Sequence, residues 1–232
     1  MSSSPSSHTS SVEFRQPKPL RLVLSELSDS TSPAIYAFPP NRETLGGTAY
    51  LILENSNILI DCPLWDENTQ AQLEAKGGIQ WLFVTHRDSI GQAKAVQKAF
   101  NCPIVIQEQE AYLLPGLNLI TFHHSCTLTP QTRALWTPGY SPGSACLYHS
   151  GFGGVLFTGR HLLPTPQGSL AAIKTAKTFH SRRQHQSIQN LLDEFTPDTL
   201  QYICPGANSG FLRGKFAIAN AYEQLKHNLG EK

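Results

Sequence analysis

Short apolar runs separated by turn residues recur along the chain, and they predict more strands than helices. Runs of four to eight apolar residues between Gly, Pro, Asn or Ser positions are typical of buried strands. The predicted strands cover residues 20–27, 34–38, 48–53, 57–60, 81–85, 103–106, 117–122, 126–128, 133–136, 145–149, 155–158 and 199–204.

Apolar positions at helical spacing predict four helices, over residues 64–76, 90–100, 181–195 and 214–225. The third helix has Ser181 as its expected cap, because a serine hydroxyl accepts from the free amides of a first turn. Both halves of the chain combine strands with helices. We therefore expect an α+β protein in which two packed sheets are covered outside by helices, a four-layer αββα sandwich.

Composition limits the classes of function. The 232 residues, 40% hydrophobic and 15% charged, are enough for one globular domain, which we place at residues 19–232. A formal net charge of +1 offers no general attraction for nucleic acid. No apolar stretch is long enough to span a bilayer.

The amino terminus and the cysteines bear on the compartment. Residues 1–18 are rich in Ser and Pro, so we expect a disordered tail, and they lack the apolar core of a secretory signal. This favours the cytoplasm, with a plastid as the alternative if the Ser-rich segment is a transit peptide. The five cysteines form no C-x-x-C pair and are interpreted as buried thiols.

One stretch, residues 81–92, has the form of a functional site. Its apolar strand stops at His86, Arg87 and Asp88 and then passes into a helical pattern. A buried strand that ends in this way places imidazole and carboxylate at the carboxyl edge of a sheet, where open α/β folds have their sites.

The order and the amino-acid sequences of several segments resemble motifs of the metallo-β-lactamase superfamily, which includes glyoxalase-II-like thioesterases and lactonases. Residues 137–144 read Thr-Pro-Gly-Tyr-Ser-Pro-Gly-Ser, similar to the family's T-P-G-H-T-P-G-S. Residues 156–160 read Leu-Phe-Thr-Gly-Arg, and residues 204–208 read Cys-Pro-Gly-Ala-Asn, similar to L-F-T-G-D and L-P-G-H-G. The resemblance covers roughly residues 45–210 and implies the family's αββα fold.

The resemblance also implies where a metal site would lie. The family's H-x-H-x-D-H cluster and its later ligands bind one or two zinc or iron ions. In a subgroup from phototrophs the sequence of this cluster is approximately T-H-R-D-D-V-x-D-H, and residues 85–93 align with it. The corresponding cleft positions here are His86, Asp88, Gln92, Ala93, Tyr140, Arg160, His161 and Ala207.

Most of the implied ligands are replaced. Tyr140, Arg160 and Ala207 stand where the family has a histidine, a bridging aspartate and a last histidine. A catalytic zinc needs about three protein ligands and an open position for water. His86 and Asp88 remain, with His161 as a third candidate, so we expect no catalytic metal.

Three of these side chains have specific expectations. Arg160 is expected to enter the cleft near Asp88 and Asp61 and to pair with Asp88 through two hydrogen bonds, supplying the charge that a metal supplies in the family. Tyr140 is expected to be a packed aromatic with a bonded hydroxyl. His86 and Asp88 are expected to form hydrogen bonds at the strand end.

Two functions follow from this reading. The first is a non-catalytic binding or assembly protein with a degenerate metal site, whose cleft holds a small anionic ligand or a protein partner. The alternative is a metal-dependent hydrolase of thioesters or esters, glyoxalase-II-like, which would use zinc or iron with an altered ligand set.

Overall fold

The computed structural model describes residues 19–25 and 33–230, with side chains described as far as residue 227. The expected tail at residues 1–18 lies outside the described residues, and so do residues 26 and 27 of the first predicted strand. The single-domain interpretation of residues 19–232 stays a prediction.

The first sheet has seven strands, and its order in space follows the order of the chain. Its first four strands pair antiparallel and its last four pair parallel. The strands are β1 Arg21–Ser25, β2 Ala34–Ala37, β3 Tyr50–Leu53, β4 Ile58–Ile60, β5 Trp81–Phe83, β6 Ile104–Gln107 and β7 Leu119–Phe122.

The second sheet has six strands, in the order β15-β14-β11-β10-β9-β8. Its pairs are antiparallel except for β11 and β14, which run parallel. The strands are β8 Ser125–Thr129, β9 Thr132–Trp136, β10 Ala145–His149, β11 Val155–Gly159, β14 Tyr202–Pro205 and β15 Ile218–Ala219, and a separate ribbon consists of β12 Leu163–Pro164 and β13 Leu170–Ala171.

Three apolar clusters define four layers, which confirms the predicted αββα sandwich. The central cluster joins the facing surfaces of the two sheets, for example Tyr50 and Phe83 of the first with Phe157 of the second. The outer clusters pack α1 Glu67–Glu74 and α2 Ala93–Phe100 on the first sheet and α3 Ser181–Glu194 and α4 Ala221–Gly230 on the second. Burial of these faces provides the main driving force for the layering.

Predicted helix ends differ from the observed ones in each of the four helices, and two predictions about where a helix starts are wrong for a clear physical reason. The last helix begins at Ala221 rather than at residue 214, because Gly214 and Asn220 have positive φ angles and β15 pairs with β14 between them. The cap of α3 is His180, not Ser181: the His180 backbone is extended and its Nδ1 accepts from the Arg183 amide over 3.3 Å.

Among the described residues, no helix combines the length and the apolar character needed to cross a lipid bilayer.

Gly159, at the end of β11, lies close to Thr85 in the segment after β5, at the edge where the strands end. Its φ is +51°, and a Cβ there would lie 2.4 Å from Thr85 Oγ1. Gly206 abuts it from the other side, since a Cβ on Gly206 would lie 2.6 Å from the Gly159 Cα. Gly206 therefore needs glycine for space, and Gly159 needs it for space and for its positive φ.

Gly159→Ala should destabilise the protein much more than Gly168→Ala. Both glycines have positive φ, but nothing lies within 4 Å of a Cβ at Gly168. The control should cost about 1 kcal/mol for the backbone conformation alone, whereas the clash at Gly159 should raise the cost to about 3 kcal/mol. Equal costs in denaturant unfolding would show that the close approach has no structural role.

Candidate functional site

The predicted site residues lie at the edge of the sandwich where the parallel strands β4, β5, β11 and β14 have their carboxyl ends. The segment after β5 carries His86 and Asp88, the end of β11 leads to Arg160, and the end of β14 leads to Ala207. Backbone pairing at this edge joins the sheets, because the Ala145 amide donates to the Thr85 carbonyl over 2.8 Å. The residues of one candidate site are thus brought to one region by topology.

Asp61 is the buried anchor of this edge. It follows β4 with a φ of +61°, and its carboxylate accepts from the Thr85 amide, the Thr85 hydroxyl and the Ser89 hydroxyl at 2.7–2.8 Å. Burial raises its pKa from 3.8 to about 6 against the opposing effect of these hydrogen bonds. The carboxylate therefore fixes the segment after β5 relative to β4.

His86 is oriented through Thr85. The Thr85 hydroxyl has one proton, which it donates to Asp61, so its oxygen accepts from His86 Nδ1 over 2.7 Å. This leaves His86 Nε2 with a lone pair, and that buried atom has no hydrogen-bond partner among the described residues. Burial, with a smaller contribution from the Arg160 charge, lowers the pKa of His86 to about 3. The imidazole is accordingly neutral.

Asp88 is held by a hydroxyl and an ammonium group. The Tyr140 hydroxyl donates to Oδ2 over 2.6 Å, and Lys177 Nζ lies 3.0 Å from Oδ1. Burial alone would raise the pKa of Asp88, but these two partners outweigh it and the pKa lies below its ordinary value. Both carboxylate oxygens therefore already have strong donors.

The expectation for Tyr140 is met. Its side chain is buried, its hydroxyl is bonded, and its ring meets the His86 ring almost at a right angle with centroids 4.9 Å apart. Its turn is attached to the segment before α3, because the Phe179 and His180 amides donate to the Tyr140 and Gly139 carbonyls over 2.9 Å.

The predicted pairing of Arg160 with Asp88 is wrong. Arg160 Nη2 donates to the carbonyls of Thr44 and Leu45, at 3.2 and 2.6 Å, so the guanidinium binds the loop that precedes β3. The cation on Asp88 is Lys177 instead. Arg160 still affects the site electrostatically, and its buried Nε finds no acceptor among the described residues.

Gln92 and Ala93 have surroundings different from those of His86 and Asp88. Gln92 Nε2 donates to the Glu43 carboxylate at 3.0–3.2 Å, and Glu43 belongs to the same loop that Arg160 binds. Ala93 is fully buried in the core between the first sheet and its helices. Two positions of the aligned family cluster, Gln92 and Ala93, therefore lie outside the group that His86 and Asp88 form with their partners.

His161 and Ala207 are both buried but have different surroundings. The His161 carbonyl accepts from Gln184 of α3 over 2.7 Å, and both ring nitrogens lack a partner among the described residues. Burial, and then the nearby His185, lower the pKa of His161 to about 3. Ala207 follows Gly206, whose amide donates to the Gly159 carbonyl over 2.7 Å.

The potential metal ligands do not converge in the part of the chain that the structure describes. No three His, Cys, Asp or Glu side chains there are grouped closely enough to hold a metal ion. All five cysteines are free thiols, four of them buried and Cys126 partly exposed, which corrects the expectation that all are buried.

One contributor to the site, Lys177, was missed from the sequence, and Asp61 was not assigned its anchoring role. Lys177 lies in an irregular segment 89 positions after Asp88, and no motif or periodicity marks it. Asp61 had a signal, because it ends an apolar strand next to the strand that leads to His86, and polar residues at neighbouring strand ends meet at one edge.

Comparison with known proteins identifies the fold. No protein-family model matches the chain, and no curated protein matches it either. Among solved structures, the B3 metallo-β-lactamase BLEG-1 is similar with a TM-score of 0.63 and 22% identity, over 84% of this chain and 97% of that one. The DIM-1 metallo-β-lactamase has a TM-score of 0.67 and 14% identity, over 93% and 99%.

A third similar structure is a quorum-quenching N-acyl homoserine lactone lactonase, with a TM-score of 0.52 and 20% identity over 82% of this chain and 89% of that one. The chain therefore has the metallo-β-lactamase fold, as the sequence resemblance implied. Sequence identities this low support a shared fold but not a shared activity.

Tyr140→Phe should lower stability by about 1–2 kcal/mol, because it removes a hydrogen bond to a charged, largely buried carboxylate. Tyr112→Phe is the control, since Tyr112 is 71% exposed. The pKa of Asp88 is depressed in the folded protein, so this stabilisation is present above the unfolded-state value of 3.8 and is lost as pH falls through the folded-state value.

The difference in unfolding free energy between the parent and Tyr140→Phe should accordingly shrink when it is measured at increasingly acid pH. A difference that is constant down to the acid limit, or one that Tyr112→Phe reproduces, would contradict this account of Asp88.

Proposed function

We propose that this metallo-β-lactamase-fold protein is a non-catalytic binding protein, whose cleft around His86 and Asp88 holds an anionic ligand or a partner segment. The observation that carries the proposal is the state of Asp88. Its two oxygens are occupied by the Tyr140 hydroxyl and the Lys177 ammonium group. Lys177 thus supplies, as part of the chain, a positive charge next to the carboxylate.

The residues present do not fit the metal centre that the fold family implies. Zinc sites use about three converging ligands. His86 Nε2 is available, but Asp88 is paired with a cation and His161 lies beside α3. A divalent ion at His86 would also be repelled by Lys177 and Arg160. We infer a degenerate site and derive no chemical step through a metal.

Two other cleft positions support a changed role. Arg160 and Gln92, which stand at positions of family ligands, both hydrogen-bond to the loop that contains Glu43, Thr44 and Leu45. Their side chains hold this loop against the edge of the sandwich. Residues that served metal ligation would be replaced here by residues that fix the walls of a cleft.

An anionic group is the ligand that the charges favour. Arg87, Arg160 and Lys177 contribute fields at His86, where Asp88 is the only opposing group among the causes of its pKa shift. Arg160 Nε–H is a buried donor with no acceptor among the described residues, and such a donor costs about 1–3 kcal/mol until an acceptor is provided. A carboxylate or phosphate oxygen would satisfy it.

One observation favours the second candidate, a metal-dependent hydrolase of thioesters or esters. His86 Nε2 carries a buried lone pair that no donor in the described part of the chain reaches, as a metal ligand does before binding. The similar structures include a lactonase and β-lactamases, which are hydrolases. For the compartment we retain the cytoplasm as a proposal, with which free thiols agree.

Protein purified without chelator from zinc- and iron-supplemented cultures should contain well under one metal ion per chain by elemental analysis. It should not hydrolyse a simple thioester when zinc is added. Stoichiometric metal that is lost in His86→Ala, together with zinc-dependent hydrolysis, would establish the alternative instead.

Lys177→Ala should bind added zinc roughly tenfold more tightly than the parent, because it removes a cation close to Asp88 and frees one carboxylate oxygen. Lys174→Ala is the matched control: Lys174 lies exposed in the same segment and has no ion pair among the described residues. Competition with a chromophoric chelator measures both affinities. Equal affinities for the two variants would show that Lys177 does not keep zinc away.

A further inference from the structure

Two pockets lie beside the amino end of β1, and both are lined by Pro39 and Pro40. The larger, with a volume of about 200 Å³, is also lined by Arg21 and Phe216. The smaller, with a volume of about 120 Å³, is also lined by Leu64. Because the pockets share the two prolines they adjoin each other, and we call them together the proline groove. The smaller pocket is lined further by Phe38, Pro63, Asp66 and Gln72.

The lining of the proline groove favours apolar side chains. Proline has no amide hydrogen, so Pro39, Pro40 and Pro63 offer a ligand their rings and no backbone donor. Phe38 and Pro63 are buried, whereas Leu64 is 49% exposed. An apolar group placed against Leu64 would remove this surface from water, which is favourable. The groove is therefore better suited to an apolar side chain of a polypeptide than to a polar small molecule.

The chain joins the described fold at this groove. Residue 19 is the first that the structure describes, and the Leu20 amide donates to Oε1 of Gln72, a lining residue of the smaller pocket, over 3.1 Å. Arg21 lines the larger pocket and pairs with the last residue of β2. The part of the chain that precedes residue 19 therefore starts next to the proline groove.

Apolar residues occur in the sequence shortly before this point. In residues 1–18, which lie outside the described residues, the large apolar side chains are those of Met1, Val12 and Phe14. The last two stand two positions apart, which places them on the same side of an extended segment. Five residues of extended chain span up to about 17 Å, so Phe14 can reach the groove from residue 19.

We propose that Val12 and Phe14 bind in the proline groove of their own chain, with the Phe14 ring against Leu64 and the proline rings. Burial of an aromatic and an aliphatic side chain favours this contact. The short connection to residue 19 keeps the segment at a high local concentration, which favours the same chain over a second copy. The inference limits the disorder expected for the tail to the residues before Val12.

The charges agree with this placement. Asp66 is an acidic residue of the lining, and one of its carboxylate oxygens caps α1 by accepting from the Thr69 amide over 2.7 Å. Arg15, which follows Phe14 directly, has the opposite charge. Glu13 stands between the two apolar residues, so in an extended segment its carboxylate projects to the other side, away from the groove.

Limited digestion of the full chain with trypsin tests the proposal. Trypsin cleaves after arginine and lysine except where proline follows, and in residues 1–18 this leaves the bond after Arg15, because the lysine there precedes a proline. A bound segment is cut only when it detaches, so the rate of this cut measures the detached fraction. Leu64→Ser should accelerate the cut by about fivefold or more. Tyr112→Ser is the matched control and should leave the rate unchanged, because Tyr112 is 71% exposed and lines neither pocket.

A change in the tail provides the second arm. Phe14→Ser, with its rate divided by that of a free peptide of residues 8–20 carrying the same change, should give the same acceleration. The double variant with Leu64→Ser should be no faster than either single variant, because both changes remove one contact. Circular dichroism checks that each variant is folded. Equal rates for the parent and Leu64→Ser, or additive effects in the double variant, would overturn the proposal. So would protection that increases with protein concentration together with a dimer in sedimentation, since the segment would then bind a second copy.

Discussion

The carboxylate of Asp61 holds together the edge of the sandwich on which the cleft depends. It is 5% exposed, yet its three hydrogen bonds tie the end of β4 to Thr85 and Ser89 in the segment after β5. The same bonds direct the Thr85 hydroxyl and so determine which nitrogen of His86 carries the proton. A buried charge is tolerated because each of its contacts is a donor. Removing it would release a backbone segment as well as a side chain.

Around Asp61, the site consists of side chains that bind to one another or to nearby backbone carbonyls. Tyr140 and Lys177 satisfy Asp88, while Arg160 and Gln92 hold the loop around Thr44. The result is an edge whose side chains are fixed, in which His86 Nε2, Arg160 Nε and both ring nitrogens of His161 lack a hydrogen-bond partner among the described residues. Fixed side chains reduce the entropy lost when a ligand binds, so they suit recognition as well as catalysis.

The sequence predicted the layers better than the details of the site, for physical reasons. Strand β10 was predicted with its observed limits because turn residues flank an apolar run on both sides, and such signals are local. The start of α4 was missed because residues before it pair with β14, a contact that periodicity does not reveal. Arg160 was assigned to Asp88 from its alignment alone, although a long side chain reaches several partners. Lys177 was not predicted, since its contact joins positions 89 apart.

The contact between Gly159 and Gly206 constrains how such a protein can change over generations. A side chain at either position collides with backbone or with Thr85, so substitutions there are eliminated by misfolding, whatever the cleft does. Arg160 and Ala207 directly follow these glycines in the chain and carry side chains, so the same steric limit does not apply to them. The side chains at the edge can therefore change while the two glycines stay in place. The glycines accordingly indicate the fold of the protein and not its activity.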